Sequence, residues 1–335
     1  MNLSSESIKP DMAMASGISI EVMKVGSENT NPFSAEGPAT TVVQHSRAKD
    51  FISLTKPEVL FLVLITTGLG CVMASESLNL IVLFHALIGT ALVASGTAAL
   101  NHYLEREHDA RMHRTARRPL PSGRLKPQEV LRFGIGLSLA GTAYLALTLN
   151  LLTSLIGLAA LLSYLLLYTP LKRRSRLCTL VGAFPGAAPV LMGWSAVRGD
   201  LAPEAWVLYA ILFLWQFPHF LAIGWMYRED YARAGMLMIP EEDRSGRVTF
   251  GLIRLTAQAL VVVSFLPTVM GMAGRVYLCS AFLLGLGLLY VVNRAAAAAS
   301  GAAAKHLLHA TVIYLPLLFL FLVVYRTDPV AGWPI

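Results

Sequence analysis

With 335 residues, 55% of them hydrophobic and only 14% charged, the chain is far more apolar than an average soluble domain. A mean hydropathy of +0.60 excludes a soluble globular protein and argues for one that lives in a bilayer. The net charge of +7 is then better explained by membrane topology than by nucleic acid. Cys71, Cys178 and Cys279 lie far apart with no C-x-x-C spacing, which indicates neither zinc nor attached haem.

Residues 1–46 are rich in Ser, Thr, Asn, Gly and Pro and lack helical periodicity, so the pattern predicts a disordered cytoplasmic tail ahead of a membrane domain over 47–335. Glu6, Asp11, Glu21, Glu28 and Glu36 stand against Lys9 and Lys24, the wrong balance for an Arg-rich mitochondrial presequence. No signal-peptide apolar core is present either, so a bacterial inner membrane is the simplest address.

The remainder predicts an all-α, polytopic bundle of nine transmembrane helices. Apolar spans fall near 57–74, 80–100, 133–149, 151–168, 177–197, 205–226, 255–273, 276–293 and 309–325, with a boundary between the third and fourth at Asn150. Strands would need alternating polarity, which these runs lack. With the amino terminus cytoplasmic, 24 of the 27 Lys and Arg residues fall inside and only Arg198, Arg275 and Arg326 outside. That split satisfies the positive-inside rule and makes the carboxyl terminus periplasmic.

After the second span comes the polar stretch from Asn101 to Gly123. Asn101, Glu105 and Asp109 recur every fourth residue, so a helix sets all three on one face, where they can hold a hard cation. Arg111, Arg114, Arg117 and Arg118 follow, a fixed positive cluster suited to phosphate oxygens. Acids followed by arginines at a membrane boundary point to a metal-bound phosphorylated substrate. Arg106 and Arg124 have no patterned partner and read as solvated helix ends.

After the fourth span, Lys172, Arg173 and Arg174 form a basic cluster that a topogenic signal alone would explain. The fifth span carries V-G-A-F-P-G-A-A-P-V-L-M-G-W, Val181 to Trp194, and such Gly and Pro density is tolerated where backbone lines a cavity or packs closely. In the sixth, W-Q-F-P-H-F places His219 in an apolar helix, where a proton shuttle, a haem contact and a hydrogen-bonded structural role all stay open. His85 is a weaker case of the same kind. After the sixth span, R-E-D-Y-A-R-A-G from Arg228 to Gly235 supplies Asp230 as a second carboxylate source, with Glu229 beside it. His102, His108 and His113 lack any zinc spacing, and His306 and His309 fit an interfacial role.

These motifs together resemble the UbiA-type intramembrane prenyltransferases, and within them the branch that farnesylates haem. The first signature, N-x-x-x-D-x-x-x-D, is represented by Asn101, Glu105 and Asp109. L-T-K-P at Leu54 to Pro57, the text from Asp109 to Leu120, Tyr168 to Arg174, Pro185 to Trp194, Trp215 to Phe220 and D-Y-x-x-A-G at Asp230 to Gly235 extend the likeness over roughly residues 50–325. Glu105 departs from the usual Asp, and Ala234 replaces the second carboxylate of D-x-x-x-D, leaving Glu229 or the Glu241 to Asp243 cluster as candidates for its place.

The resemblance implies transfer of farnesyl from farnesyl diphosphate to a vinyl of haem B, giving haem O for a downstream haem A synthase. Haem B is then a substrate and Mg²⁺ the cofactor, held by Asn101, Glu105, Asp109 and Asp230. Arg114, Arg118, Lys172, Arg173, Tyr231 and Trp215 would bind substrate, and His219 would join the catalytic set. Two other readings compete: a prenyltransferase acting on a quinone or chlorophyll precursor, and a non-enzymatic haem transporter or assembly factor.

Overall fold

The protein is described by a computed structural model over residues 46–239 and 243–327; residues 1–45 of the expected tail, together with Glu241 and Glu242, lie outside the described residues. A short α1 (Arg47–Leu54) precedes α2 (Pro57–Ala74), α3 (Leu80–Asp109) and α4 (Pro127–Thr148). Then α5 (Leu151–Leu162) passes through a π-helical turn (Ser163–Tyr168) into α6 (Thr169–Leu171). The chain continues as α7 (Cys178–Arg198), α8 (Pro203–Met226), α9 (Arg228–Arg233), α10 (Arg247–Val263), α11 (Leu266–Val269), α12 (Arg275–Ala298) and α13 (Gly301–Val324). Among the described residues nine helical segments are long and apolar enough to cross a membrane, α5 with α6 and α10 with α11 counting as one each.

Local chemistry sets the boundaries. Pro57, Pro127 and Pro203 begin α2, α4 and α8, where the missing N–H has no helical partner to lose. The Asn150 side chain accepts from Thr153 N at 2.9 Å and donates to the Ser195 carbonyl at 2.8 Å, so the residue that separates the third and fourth spans also ties α5 to α7. α3 and α13 outrun the expected spans, α3 with polar turns and α13 with an Ala-rich start. α3 continues past residue 100 to Asp109, and α13 starts at Gly301 rather than near 309.

The centre of the bundle is α7, in which every residue from Ala187 to Ala196 is buried. Its glycines allow close approach: a Cβ on Gly193 would meet the Thr67 carbonyl oxygen of α2, and one on Gly70 would meet that of Val190. Gly96 and Gly141 play the same part between α3 and α4, against Ser138 and Val93. On the far side Leu208, Ile211, Ile253, Tyr277 and Leu318 join α8, α10, α12 and α13 in the largest apolar cluster. Phe61, Leu80, Leu139, Leu147 and Leu283 face outward, as lipid contact allows.

Candidate active site

A cavity of about 860 Å³ lies between α2, α3, the π-helical turn, α7 and α8. Along α3 its wall takes Thr90, Val93, Thr97, Asn101, Glu105 and Asp109, residues three or four apart on one face. From Thr90 to Asp109 that face runs about 28 Å at the helical rise. Gly182, Pro185, Gly186, Pro189 and Met192 supply the α7 wall at the same spacing, so the helix breakers lie beside the chamber.

One end is strongly polar. Asn101, Glu105 and Asp109 are all buried, yet each meets a cation brought from another element. Lys56 Nζ donates to Asn101 Oδ1 at 3.1 Å, Lys172 Nζ to Glu105 Oε1 at 2.8 Å, and Arg118 Nη1 to Asp109 Oδ2 at 2.7 Å. All six residues line the cavity. Lys56 reaches its place from a left-handed backbone, φ 50° and ψ 68°, immediately before Pro57. Burial, reinforced by the nearby Arg118 and Lys172 charges, pushes the Lys56 ammonium down to about 8. Burial also works against a charge on Lys172, but the Glu105 carboxylate 2.8 Å away outweighs it and holds that ammonium above the lysine range.

The π-helical turn positions this corner. Tyr164 and Tyr168 both face the cavity with ring centroids 4.9 Å apart, and Lys172 Nζ sits 4.5 Å from the Tyr168 centroid. Asn101 Nδ2 donates to Thr169 Oγ1 at 3.3 Å, and that hydroxyl donates to the Tyr164 carbonyl at 2.9 Å, which ties α6 and the turn to α3. A π segment at such a place is a frequent mark of function. Arg114 closes the mouth, donating to the Tyr231 hydroxyl at 3.0 Å and lying over the Tyr227 ring. Away from this end the wall turns apolar, with Val63, Val93, Leu161, Met192, Leu212 and Trp215.

Of the residues singled out in the sequence, Asn101, Glu105, Asp109, Arg114, Arg118, Lys172, Tyr231 and Trp215 therefore share one cavity. Asp230, Arg173 and His219 are not in its wall. Asp230 pairs with Arg233 and accepts from Arg114 N at 3.4 Å, just behind the mouth. Arg173 contacts His108 Nε2 at 2.9 Å. His219 stacks on Trp215, its Nδ1 3.0 Å from Thr311 Oγ1, so it joins α8 to α13. Glu229 is exposed beside Arg228. Asp243 is buried and accepts from Val248 N, Thr249 N and Thr249 Oγ1, which ties its carboxylate to the first turn of α10. Arg124 is not a bare helix end: its Nε binds buried Asp50 at 3.0 Å.

Among the described residues no three His, Cys, Asp or Glu side chains gather tightly enough to enclose a metal by themselves. The α3 face offers two carboxylates and an amide oxygen on an accessible wall. That set fits Mg²⁺, which takes one or two carboxylates and fills its remaining positions with phosphate oxygens and water.

Residues 63–323 match the model of the UbiA prenyltransferase family. The chain belongs to that family. It is 50% identical over 281 residues to the protoheme IX farnesyltransferase of Solibacter usitatus, covering 81% of this chain and 96% of the relative. In fold, the chain is similar to a structure of digeranylgeranylglyceryl phosphate synthase, with a TM-score of 0.69, 17% identity and coverage of 83% and 98%. A UbiA homologue from Archaeoglobus fulgidus, solved with GPP and Mg²⁺, superposes with a TM-score of 0.59, 13% identity and coverage of 82% and 99%. In this member the first UbiA signature has its middle acid, Glu105, in a buried pair with Lys172. Lys56, Tyr164, Tyr168 and Gln216 also line the cavity. Gln216 was legible in sequence as an amide inside an apolar helix, and Lys56 and Tyr168 lie in L-T-K-P and in the stretch from Tyr168 to Arg174, whereas Tyr164 carried no signal.

Proposed function

We infer that the protein transfers a farnesyl group from farnesyl diphosphate to a vinyl group of haem B, giving haem O. The observation that carries this reading is one cavity with an ion-lined end and a long apolar wall, in a chain half identical to a protoheme IX farnesyltransferase. An ionic end takes the diphosphate, and the apolar wall takes the prenyl chain and a largely apolar acceptor.

Asn101, Glu105 and Asp109 are assigned to Mg²⁺, and Arg114, Arg118 and Lys172 to the diphosphate oxygens, while Asp230 and Arg173, outside the cavity wall, are assigned to supporting Arg114 and His108. The bound ion would supply positive charge where negative charge develops on the departing diphosphate. Arg118 and Lys172, already inside the cavity, are placed to hold that leaving group as the allylic C–O bond breaks. The allylic carbon then bonds to the terminal vinyl carbon, water provides the hydroxyl at the adjacent carbon, and one proton is released. Val63, Val93, Leu161 and Leu212 exclude bulk water from the allylic cation. Tyr231 fixes Arg114 at the mouth, Trp215 forms the acceptor wall, and His219 acts through the Trp215 ring it stacks on.

The Lys and Arg distribution supports an inner-membrane protein with its ionic end cytoplasmic, where diphosphates are made. A haem A synthase would consume the product. Protein in nanodiscs, given haem B, farnesyl diphosphate and Mg²⁺, should yield haem O by mass analysis, and EDTA should stop it. Bound haem without haem O would refute the reading.

A further inference from the structure

Three cations and two carboxylates meet at the polar end, and they are matched one to one with the α3 row. Lys56 holds the amide of Asn101, Lys172 holds Glu105, and Arg118 holds Asp109. The pairs are enclosed: Lys172 and Glu105 side chains are 10% and 9% exposed, and Asp109 is 1% exposed. The same oxygens assigned to Mg²⁺ are thus occupied by ammonium and guanidinium groups, and the same cations assigned to diphosphate are occupied by carboxylates.

We propose that Lys56, Lys172 and Arg118 are exchange partners, which pair with the α3 row and move to the diphosphate oxygens only when metal and diphosphate arrive together. This rests on the reading that the cavity takes a metal-bound prenyl diphosphate.

The charge balance gives the reason. The cluster carries a net +1. A divalent metal alone would raise it to +3 and leave three cations without partners. A diphosphate ester, about −3 at neutral pH by the acidity of phosphate groups, would alone take it to about −2 and strand Glu105 and Asp109. The two together bring it near zero, with carboxylates on the metal and cations on phosphate. Stranding a buried charge is far more costly than pairing it, so each ligand improves the site for the other. Reach favours the exchange: Lys172 extends on a flexible four-carbon stem, and the Glu105 arm, one methylene longer than the family's usual Asp, meets it. The two carboxylates and the Asn101 amide need not move far, since all three sit on one rigid helix face.

The test uses the full chain in nanodiscs, Mn²⁺ as the metal probe read by electron paramagnetic resonance, and inorganic pyrophosphate, with free concentrations corrected for their complex in solution. In the wild type, saturating pyrophosphate should tighten Mn²⁺ binding, and Mn²⁺ should tighten pyrophosphate binding, by the same factor within about 5- to 150-fold. Lys172→Gln and Arg118→Gln should each bind Mn²⁺ alone more tightly than the wild type and show weaker coupling. Should Lys172→Gln fail to fold, Arg118→Gln carries the comparison, because the Arg118 side chain is 29% exposed and less needed for packing. Equal Mn²⁺ affinity with and without pyrophosphate in the wild type, or no gain in the folded variants, overturns the exchange. Asp109→Asn separates the two levels: lost Mn²⁺ binding leaves the metal reading standing even where coupling is absent, and unchanged Mn²⁺ binding overturns both.

Discussion

Glu105→Asp is the sharpest perturbation of the polar end, because it keeps the charge and moves it. Glu105 Oε1 lies 2.8 Å from Lys172 Nζ, with both side chains about nine-tenths buried. Removing one methylene withdraws the carboxylate by about 1.5 Å, the length of a carbon–carbon bond. At an effective dielectric of about 20, Coulomb attraction at the longer separation is weaker by on the order of 2 kcal/mol. The Lys172 stem can follow part of the way, so the expected loss of stability is about 1 to 2 kcal/mol. Unfolding in mixed micelles, followed by tryptophan fluorescence against rising SDS, would measure it. With Mg²⁺ and pyrophosphate present the gap should narrow, because Lys172 has then left Glu105. Equal stability of Glu105→Asp and wild type without ligands would show that the buried pair contributes nothing, and the reasoning from it would fail.

Asp109→Asn should abolish haem O formation while the helical circular dichroism stays unchanged, since Asn still accepts from Arg118; retained turnover would remove Asp109 from the metal site. Gly193→Ala should destabilise the bundle by about 1–3 kcal/mol, because the new methyl meets the Thr67 carbonyl with backbone on both sides. Wild-type thermal stability for that variant would mean that α2 and α7 do not cross as closely as described. His219→Ala loses the Thr311 hydrogen bond and the Trp215 stack, so about 1–2 kcal/mol of stability should go and haem O formation should slow without stopping. Complete loss of turnover in a folded His219→Ala protein would place the imidazole in the chemistry itself.

What the sequence made legible follows from what hydropathy and spacing can carry. The spans were visible because lipid demands long apolar runs, and Asn150 was visible as a break because one polar residue interrupts two of them. The helix end at Asp109 was not, since the last turns of α3 are polar and leave the apolar pattern while keeping their hydrogen bonds. The row Asn101, Glu105 and Asp109 needed only the helical period. Its partners needed the fold: Lys172 is 67 residues from Glu105 and Lys56 is 45 from Asn101, distances over which no local rule operates. Tyr164 and Tyr168 are ordinary apolar-span residues in sequence, and only the π-helical turn sets them facing the ions. Asp243 shows the converse. An acidic run after Gly235 suggested a replacement carboxylate, yet Asp243 is spent on the backbone of α10.

The most direct test of the account is the identity of the acceptor. Protein in nanodiscs would be given Mg²⁺, carbon-labelled farnesyl diphosphate and equal amounts of haem B and an aromatic quinone precursor, with the label then traced by mass spectrometry. The account predicts label on a hydroxyethylfarnesyl haem and none on the aromatic acceptor. Label on the quinone precursor, with haem B recovered unchanged, would contradict it.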